Sequence, residues 1–198
     1  MENILYLDSH INIYVKKLDK ILNIKPYKNT LSNGIIIDSK KFIKILKTVQ
    51  SENKLNNSFI NESIIIINNS FFTKDYKEYI KQLMEEINYK NCKFIHEIKL
   101  INLNKNTIFI NYNETYFYIN YINKEGKIKT KLYEKDLINK NIILNILKII
   151  DKKNIIISGK KCQELVNILK KTNYNYYYFE DSKNTFIELL KNKMSKLM

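Results

Sequence analysis

The sequence predicts an α/β fold in which mixed β-sheets are flanked by helices. Three observations carry that expectation. Short β-rich runs come first as hairpins and then alternate with stretches of helical periodicity. That order occurs twice along the chain. The composition is that of a packed protein: of 198 residues, 44% are apolar and 27% charged, with only 3 Gly and 1 Pro. Such a balance excludes collagen-like, Pro-rich and linker architectures as well as wholesale disorder.

The elements follow in order. Ile4 to Leu7 and Ile11 to Val15 are β-rich runs separated by Asp8-Ser9-His10, a turn-forming triplet that predicts a tight hairpin. A third run, Ile21 to Ile24, stops before Pro26, which has no N–H for a ladder, so the strand belongs at an edge. Asn33-Gly34 is a turn signal before the strand-like Ile35 to Ile37. Asp38 or Ser39 caps a helix with Phe42, Ile43, Leu46 and Val49 at helical spacing. Ile64 to Ile67 is apolar without alternation, as in a strand covered on both faces. Thr73 caps a helix with the stripe Tyr76, Ile80, Leu83, Met84 and Ile87, and Cys92 to Ile95 is a further strand. The second series begins as a meander, Thr107 to Ile110, Tyr116 to Ile122 and Lys127 to Tyr133, with a turn at Lys124-Glu125-Gly126. A helix from about Asp136 to Ile150, a strand at Ile155 to Ile157, a helix carrying Cys162, Leu165, Val166 and Leu169, a strand over Tyr174 to Phe179 and a helix from Asn184 to Lys193 complete it.

The charge balance is strongly basic, with 34 basic against 20 acidic residues and a net charge of +14. Every one of the 34 is Lys, whereas bidentate reading of phosphate and guanine favours Arg, so nucleic acid is disfavoured as a partner. The 15 Tyr, crowded with Ile, Asn and Lys, fit the codon bias of an AT-rich genome, which accounts for Tyr174, Tyr176, Tyr177 and Tyr178 without base stacking. Cys92 and Cys162 match no metal spacing and are too few for a disulfide framework, which suits a reducing cytosol. Cys162 lies on an apolar stripe, as a core residue does. His10 and His96 stand in no ligand cluster, so no metal site is expected. No signal-peptide layout opens the chain and no apolar run approaches a membrane span, so a cytoplasmic protein is expected.

Several strings, taken in order, resemble the actin-like superfamily, within it bacterial MreB with the related FtsA and PilM. Ile4 to Ile24 is similar to the family's opening strand, phosphate turn and second strand, the last resembling Ile13-Tyr14-Val15-Lys16. Leu31-Ser32-Asn33-Gly34-Ile35-Ile36-Ile37-Asp38 resembles the family's Leu-x-Asp/Asn-Gly-Val-Ile-x-Asp, which returns the chain to the first sheet. Ser63 to Ile98 resembles the next unit and ends in Lys93-Phe94-Ile95-His96-Glu97. Ile155 to Leu169 resembles the adenosine-side strand, Gly turn and helix, and Tyr176 to Met194 the closing segment. The resemblance implies two actin-like (ribonuclease H-like) cores, 1–104 matching subdomain IA and 105–198 matching subdomain IIA. The family's inserted subdomains would fall between Tyr27 and Leu31 and between Tyr133 and Asn154, gaps too short to hold them.

The resemblance also locates three nucleotide turns, and each departs from the family's pattern. The positions are Asp8, Ser9 and His10 in the first, Asn111, Asn113 and Glu114 in the second, and Ser158, Gly159 and Lys160 in the third. A polyphosphate cradle needs Gly so that backbone N–H groups approach the ligand closely. The first two turns have none, Glu114 adds negative charge, and Asn111 lacks the carboxylate that organises Mg²⁺ and its waters. Asp8 reads as a turn cap ahead of a metal ligand. Glu97 stands where the family positions the hydrolytic water, with His96 beside it; without a held phosphate the pair has nothing to act on. Lys160 and Lys161 open a helix, where an anion is favoured, though Lys at that end otherwise opposes the helix dipole. The resulting expectation is a non-catalytic scaffold or adaptor of a bacterial-type cytoskeleton, cell-shape or division apparatus, without ATP hydrolysis, cofactor or catalytic residue. Its expected partners are itself, a longer actin-like polymer, or a membrane-bound shape, division or pilus protein. Residues 184–198, with Phe186, Ile187, Leu190, Met194 and Leu197 near one face and Lys183, Lys191, Lys193 and Lys196 around it, either dock on a sheet or touch the inner face of a membrane. The alternatives are a weak ATPase or kinase-like enzyme of the same fold, or a basic nucleic-acid-binding protein.

Overall fold

The computed structural model describes residues 2–8, 10–32, 34–53, 62–101, 103–113, 116–134, 136, 139–159, 161–179 and 185–195. They form a mixed α/β protein with two five-stranded mixed sheets and flanking helices. Contacts divide the chain into two compact units, Met1–Leu100 with Asn184–Met198, and Ile101–Lys183.

The first unit opens with β1 (Asn3–Leu7), β2 (Ile11–Val15) and β3 (Lys20–Ile24), an antiparallel series. A short hairpin, β4 (Leu31–Ser32) and β5 (Ile35–Ile36), leads into α1 (Ser39–Glu52). Then β6 (Glu62–Asn68), α2 (Lys74–Glu85) and β7 (Tyr89–His96) follow, β6 pairing parallel with both β1 and β7. The sheet order is β3-β2-β1-β6-β7. Asp38 caps α1 by accepting from the Lys41 N–H at 3.0 Å, and Thr73 caps α2 by accepting from Tyr76 N–H at 3.2 Å. Phe42, Ile43, Ile45, Leu46, Ile80, Leu83 and Met84 of the two helices bury one sheet face with Leu5, Leu7, Ile11, Ile13, Ile64 and Ile66. Ile64 to Ile67 are all buried, as the unbroken apolar run requires.

The second unit repeats the order. Here β8 (Thr107–Tyr112), β9 (Tyr116–Ile122) and β10 (Ile128–Glu134) form the meander, and β11 (Asn154–Ser158) and β12 (Asn175–Tyr178) add in parallel, giving β10-β9-β8-β11-β12. The helices α3 (Lys140–Ile150) and α4 (Cys162–Leu169) cover the face made by Ile108, Ile110, Phe117, Ile119, Ile155 and Ile157. Cys162 is part of that core. The stretch between β3 and β4 is residues 25–30, and between β10 and β11 the chain has room for α3 and short connections, so neither point of insertion carries a subdomain.

The structure differs from the sequence reading at three places. The segment Leu31 to Ile36 does not return to the first sheet but pairs with itself as a separate two-stranded sheet. It docks through its turns, with Gly34 N–H donating to Asp8 O at 3.0 Å and Ile36 N–H to the Tyr76 hydroxyl at 2.6 Å. The helix expected from about Asp136 begins at Lys140, because the Asn139 side chain accepts from Ile142 N–H at 3.1 Å and sets the start. The last helix, α5 (Thr185–Ser195), groups with the first unit, whereas the sequence boundary at 104 placed it with the second. Its Phe186, Ile187 and Leu190 are buried, with the Phe186 ring 5.2 Å from Tyr6 on the sheet face opposite α1 and α2. Lys191 reaches Asp19 at 3.4 Å and lies 4.3 Å over the Tyr14 ring. The apolar stripe thus takes the docking role expected as the alternative to a membrane surface; Lys183, Lys196 and Leu197 lie outside the described residues.

Candidate functional site

The first turn joins β1 to β2, and its hydrogen bonds close on themselves. Asp8 Oδ1 accepts from His10 N–H at 2.6 Å and from Asn12 Nδ2 at 3.2 Å. Asp8 N–H donates to His10 O at 3.1 Å. Asn12, itself buried, passes the chain on by accepting from Asn23 Nδ2 at 2.7 Å across the β2–β3 pair. The β4–β5 turn lies against this hairpin: Gly34 has φ +78°, and a Cβ there would stand 2.5 Å from Leu7 O. Ser9 lies outside the described residues. Asp8 is therefore occupied as an Asx turn, the role its sequence setting predicted.

At the ends of β6 and β7 in the same unit, His96 and Glu97 sit side by side. The Glu97 carboxylate is fully buried and accepts from the Tyr6 hydroxyl at 3.4 Å. His96 Nδ1 accepts from Ile98 N–H at 3.2 Å, and Nε2 lies 3.3 Å from Ser70 Oγ. The first contact assigns the proton to Nε2, so the ring donates to the serine. Burial, and then the nearby charges of Lys77 and Lys99, push the His96 pKa down to about 4. The imidazole is neutral at physiological pH, with both nitrogens engaged.

In the second unit the structure brings Asn111, Asn113, Ser158 and Gly159 together where the parallel strands β8 and β11 end, with Ser158 in register with Asn111. Asn113 Nδ2 donates to Asn111 Oδ1, and Asn113 N–H donates to Tyr116 O at 3.0 Å, closing the β8–β9 turn. Gly159 has φ +102°, and its Cα faces the Tyr112 backbone so closely that a Cβ would lie 2.5 Å from Tyr112 O. Lys161 N–H donates to Tyr112 O at 2.9 Å and Cys162 N–H to Gly159 O at 3.0 Å. Lys161 Nζ pairs with Glu164 at 2.9 Å, so its charge is answered within α4. Ser158 Oγ is buried and has no hydrogen-bond partner among the described residues. Glu114 and Lys160 lie outside the described residues. Among the described residues no group of three His, Cys, Asp or Glu is placed to hold a metal, and no helix is long and apolar enough to cross a membrane.

The sequence reading missed the partners more than the positions. Gly34 was visible as a turn residue, but nothing local tells that it lies on Leu7 and Asp8. The Tyr112 backbone, which receives both Gly159 and Lys161, carries no side-chain signal at all. Tyr174, Tyr176 and Tyr178 pack on the core and Tyr177 projects outward at 64% exposure, the alternation of an ordinary edge strand.

No family model matches this chain, and no curated protein does. Solved structures do. MreB 5 of Spiroplasma citri bound to AMPPNP is 13% identical with a TM-score of 0.61, the match covering 100% of this chain and 97% of that one. A Bacteroides thetaiotaomicron protein of unknown function with an actin-like ATPase fold is 13% identical with a TM-score of 0.53, covering 96% of each chain. An Alp12 filament subunit is 14% identical with a TM-score of 0.51, covering 98% of this chain and 86% of that one. At such identities the likeness speaks for the fold.

Proposed function

We propose, from the premise that this chain has a divergent actin-like fold, that it serves as a non-catalytic scaffold or adaptor rather than an ATPase. The two repeated sheets are read as two ribonuclease H-like cores that keep the fold and have lost the nucleotide grip. One observation carries the reading. Backbone and side-chain groups at the expected phosphate turns bond to one another: His10 N–H to Asp8 Oδ1, Asn113 N–H to Tyr116 O, and Lys161 N–H to Tyr112 O. The donors of these three bonds are engaged within the protein and so are not turned to a ligand, and positioning supplies most of phosphoryl-transfer catalysis. The partners this reading favours are another copy or a longer actin-like polymer, since a heterologous contact builds filaments such as that of Alp12. A membrane-bound shape, division or pilus protein is the other class, with the chain acting in the cytoplasm of a bacterial-type cell.

Isothermal titration and thermal unfolding with ATP and Mg²⁺ test this. No heat and no stabilisation are expected at millimolar ATP. A site of about 10 µM affinity would add about 2.7 kcal/mol at 1 mM and would overturn the reading. The second reading, weak nucleotide binding, is favoured by the orphaned Ser158 Oγ beside Gly159, a buried hydroxyl that a ligand atom would satisfy. Hydrolysis above background would favour it.

A further inference from the structure

We propose that the outer edge of β10 is a docking strand for an extended acidic peptide, added antiparallel to the sheet of the second unit. The inference deepens the adaptor reading by naming a partner's chemistry. β10 ends its sheet, so the backbone groups on one side pair with no strand among the described residues. Residues 128–132 and 134 are exposed, and only Tyr133 turns partly inward, stacked on Phe117 at 4.9 Å. The alternation gives the edge two distinct faces. Lys129 and Lys131 share the face of Tyr133 and make no ion pair among the described residues. Ile128, Thr130 and Leu132 share the other, and the two aliphatic side chains are 51% and 54% exposed.

The lysine face continues into a groove against the end of α3. Tyr121, Ile149 and Ile150 form its apolar part, and Lys124, Lys131 and Lys152 outnumber Asp151 in its charged part. Ile149 is 76% exposed there. A strand laid on β10 would place alternate side chains against the lysines and the rest against Ile128 and Leu132. Charge complementarity then sets the occupant: acidic at the positions facing Lys129 and Lys131, aliphatic at those between. A second copy of β10 is the poorer occupant. In full antiparallel register Lys131 would face Lys131, and a slip of two residues in one direction sets Lys129 against Lys131, whereas the opposite slip avoids like charges only by giving up the outer pairs of the ladder.

The test uses the full chain and a seven-residue peptide of alternating valine and glutamate, read by fluorescence anisotropy and by amide exchange. The peptide is expected to bind, to protect the amides of residues 128–134, and to weaken as salt rises. The double substitution K129E/K131E, both on exposed side chains, should weaken it at least about tenfold and create binding for a matching peptide of alternating valine and lysine. No binding, equal binding by a block-scrambled peptide, or equal binding by the charge-reversed protein would each overturn the proposal. So would sedimentation showing a wild-type dimer that the peptide disperses, which would give the edge to a second copy. Nucleotide titration is independent of these readouts, so failure of the silent-site reading and failure of the docking strand are distinguishable.

Discussion

A methyl group added at Gly159 would press within 2.5 Å of the Tyr112 carbonyl oxygen, at a φ of +102° that L residues rarely adopt. Gly159→Ala is therefore expected to destabilise by about 3–4 kcal/mol in urea unfolding. Gly126 has a similar φ, +80°, but open space around it, so Gly126→Ala should lose only about 1–2 kcal/mol. Equal losses would refute the close approach at Tyr112. His96 supplies a pH signature. Its folded pKa of about 4 lies below the ordinary value of 6.5, so between those values the unfolded chain binds the extra proton. Stability is complete above about pH 6.5 and falls toward pH 4, by up to about 3 kcal/mol from this residue. His96→Gln should flatten that part of the profile, measured as the urea midpoint against pH. At this scale the sequence was legible where a side chain acts on its own neighbourhood: Asp8 in its turn, Thr73 and Asp38 at helix starts. It was silent where a backbone group from a distant segment completes the contact, as Tyr112 does for Lys161.

Helix α5 shows how an element can be legible in itself and misplaced in the fold. Its periodicity gives the stripe Phe186, Ile187 and Leu190, but a stripe does not say which sheet it covers. The face it takes, around Tyr6 and Tyr14, belongs to strands from the opposite end of the chain. Phe186→Ala is expected to remove about 3–5 kcal/mol and to raise amide exchange in β1 and β2. Increased exchange in β8 and β9 alone would contradict the docking. The β4–β5 hairpin makes the same point. Leu31 to Ile36 has strand-like residues, and its separation from the main sheet is settled by Gly34 on Asp8 and by the Tyr76 hydroxyl under Ile36. The ten strands of the two large sheets, in contrast, were readable from β-rich runs bounded by turn residues, most plainly at Ile64 to Ile67, because a buried parallel strand needs apolar residues on both faces.

For the molecule as a whole the question is what a charge of +14 does. Lysines are spread over both units, on α1 at Lys40, Lys44 and Lys47 and on β10 at Lys129 and Lys131, and no Arg is present to read a base edge. Duplex DNA is expected to retain the protein at about 50 mM salt and to release it by about 200 mM, without sequence preference. Retention by one sequence at the higher salt would revive the nucleic-acid alternative. The two sheets share one strand order, so the fold class could be read from the repeated succession of elements. The grouping of Met1–Leu100 with Asn184–Met198 could not. That grouping bears on synthesis. A ribosome finishes β1, β2 and the whole of Ile101–Lys183 before it makes α5, so the nascent chain holds an uncovered aromatic face on the first unit until Thr185–Ser195 has emerged. Stalled or prematurely terminated products should accordingly be the species that chaperones and proteases capture.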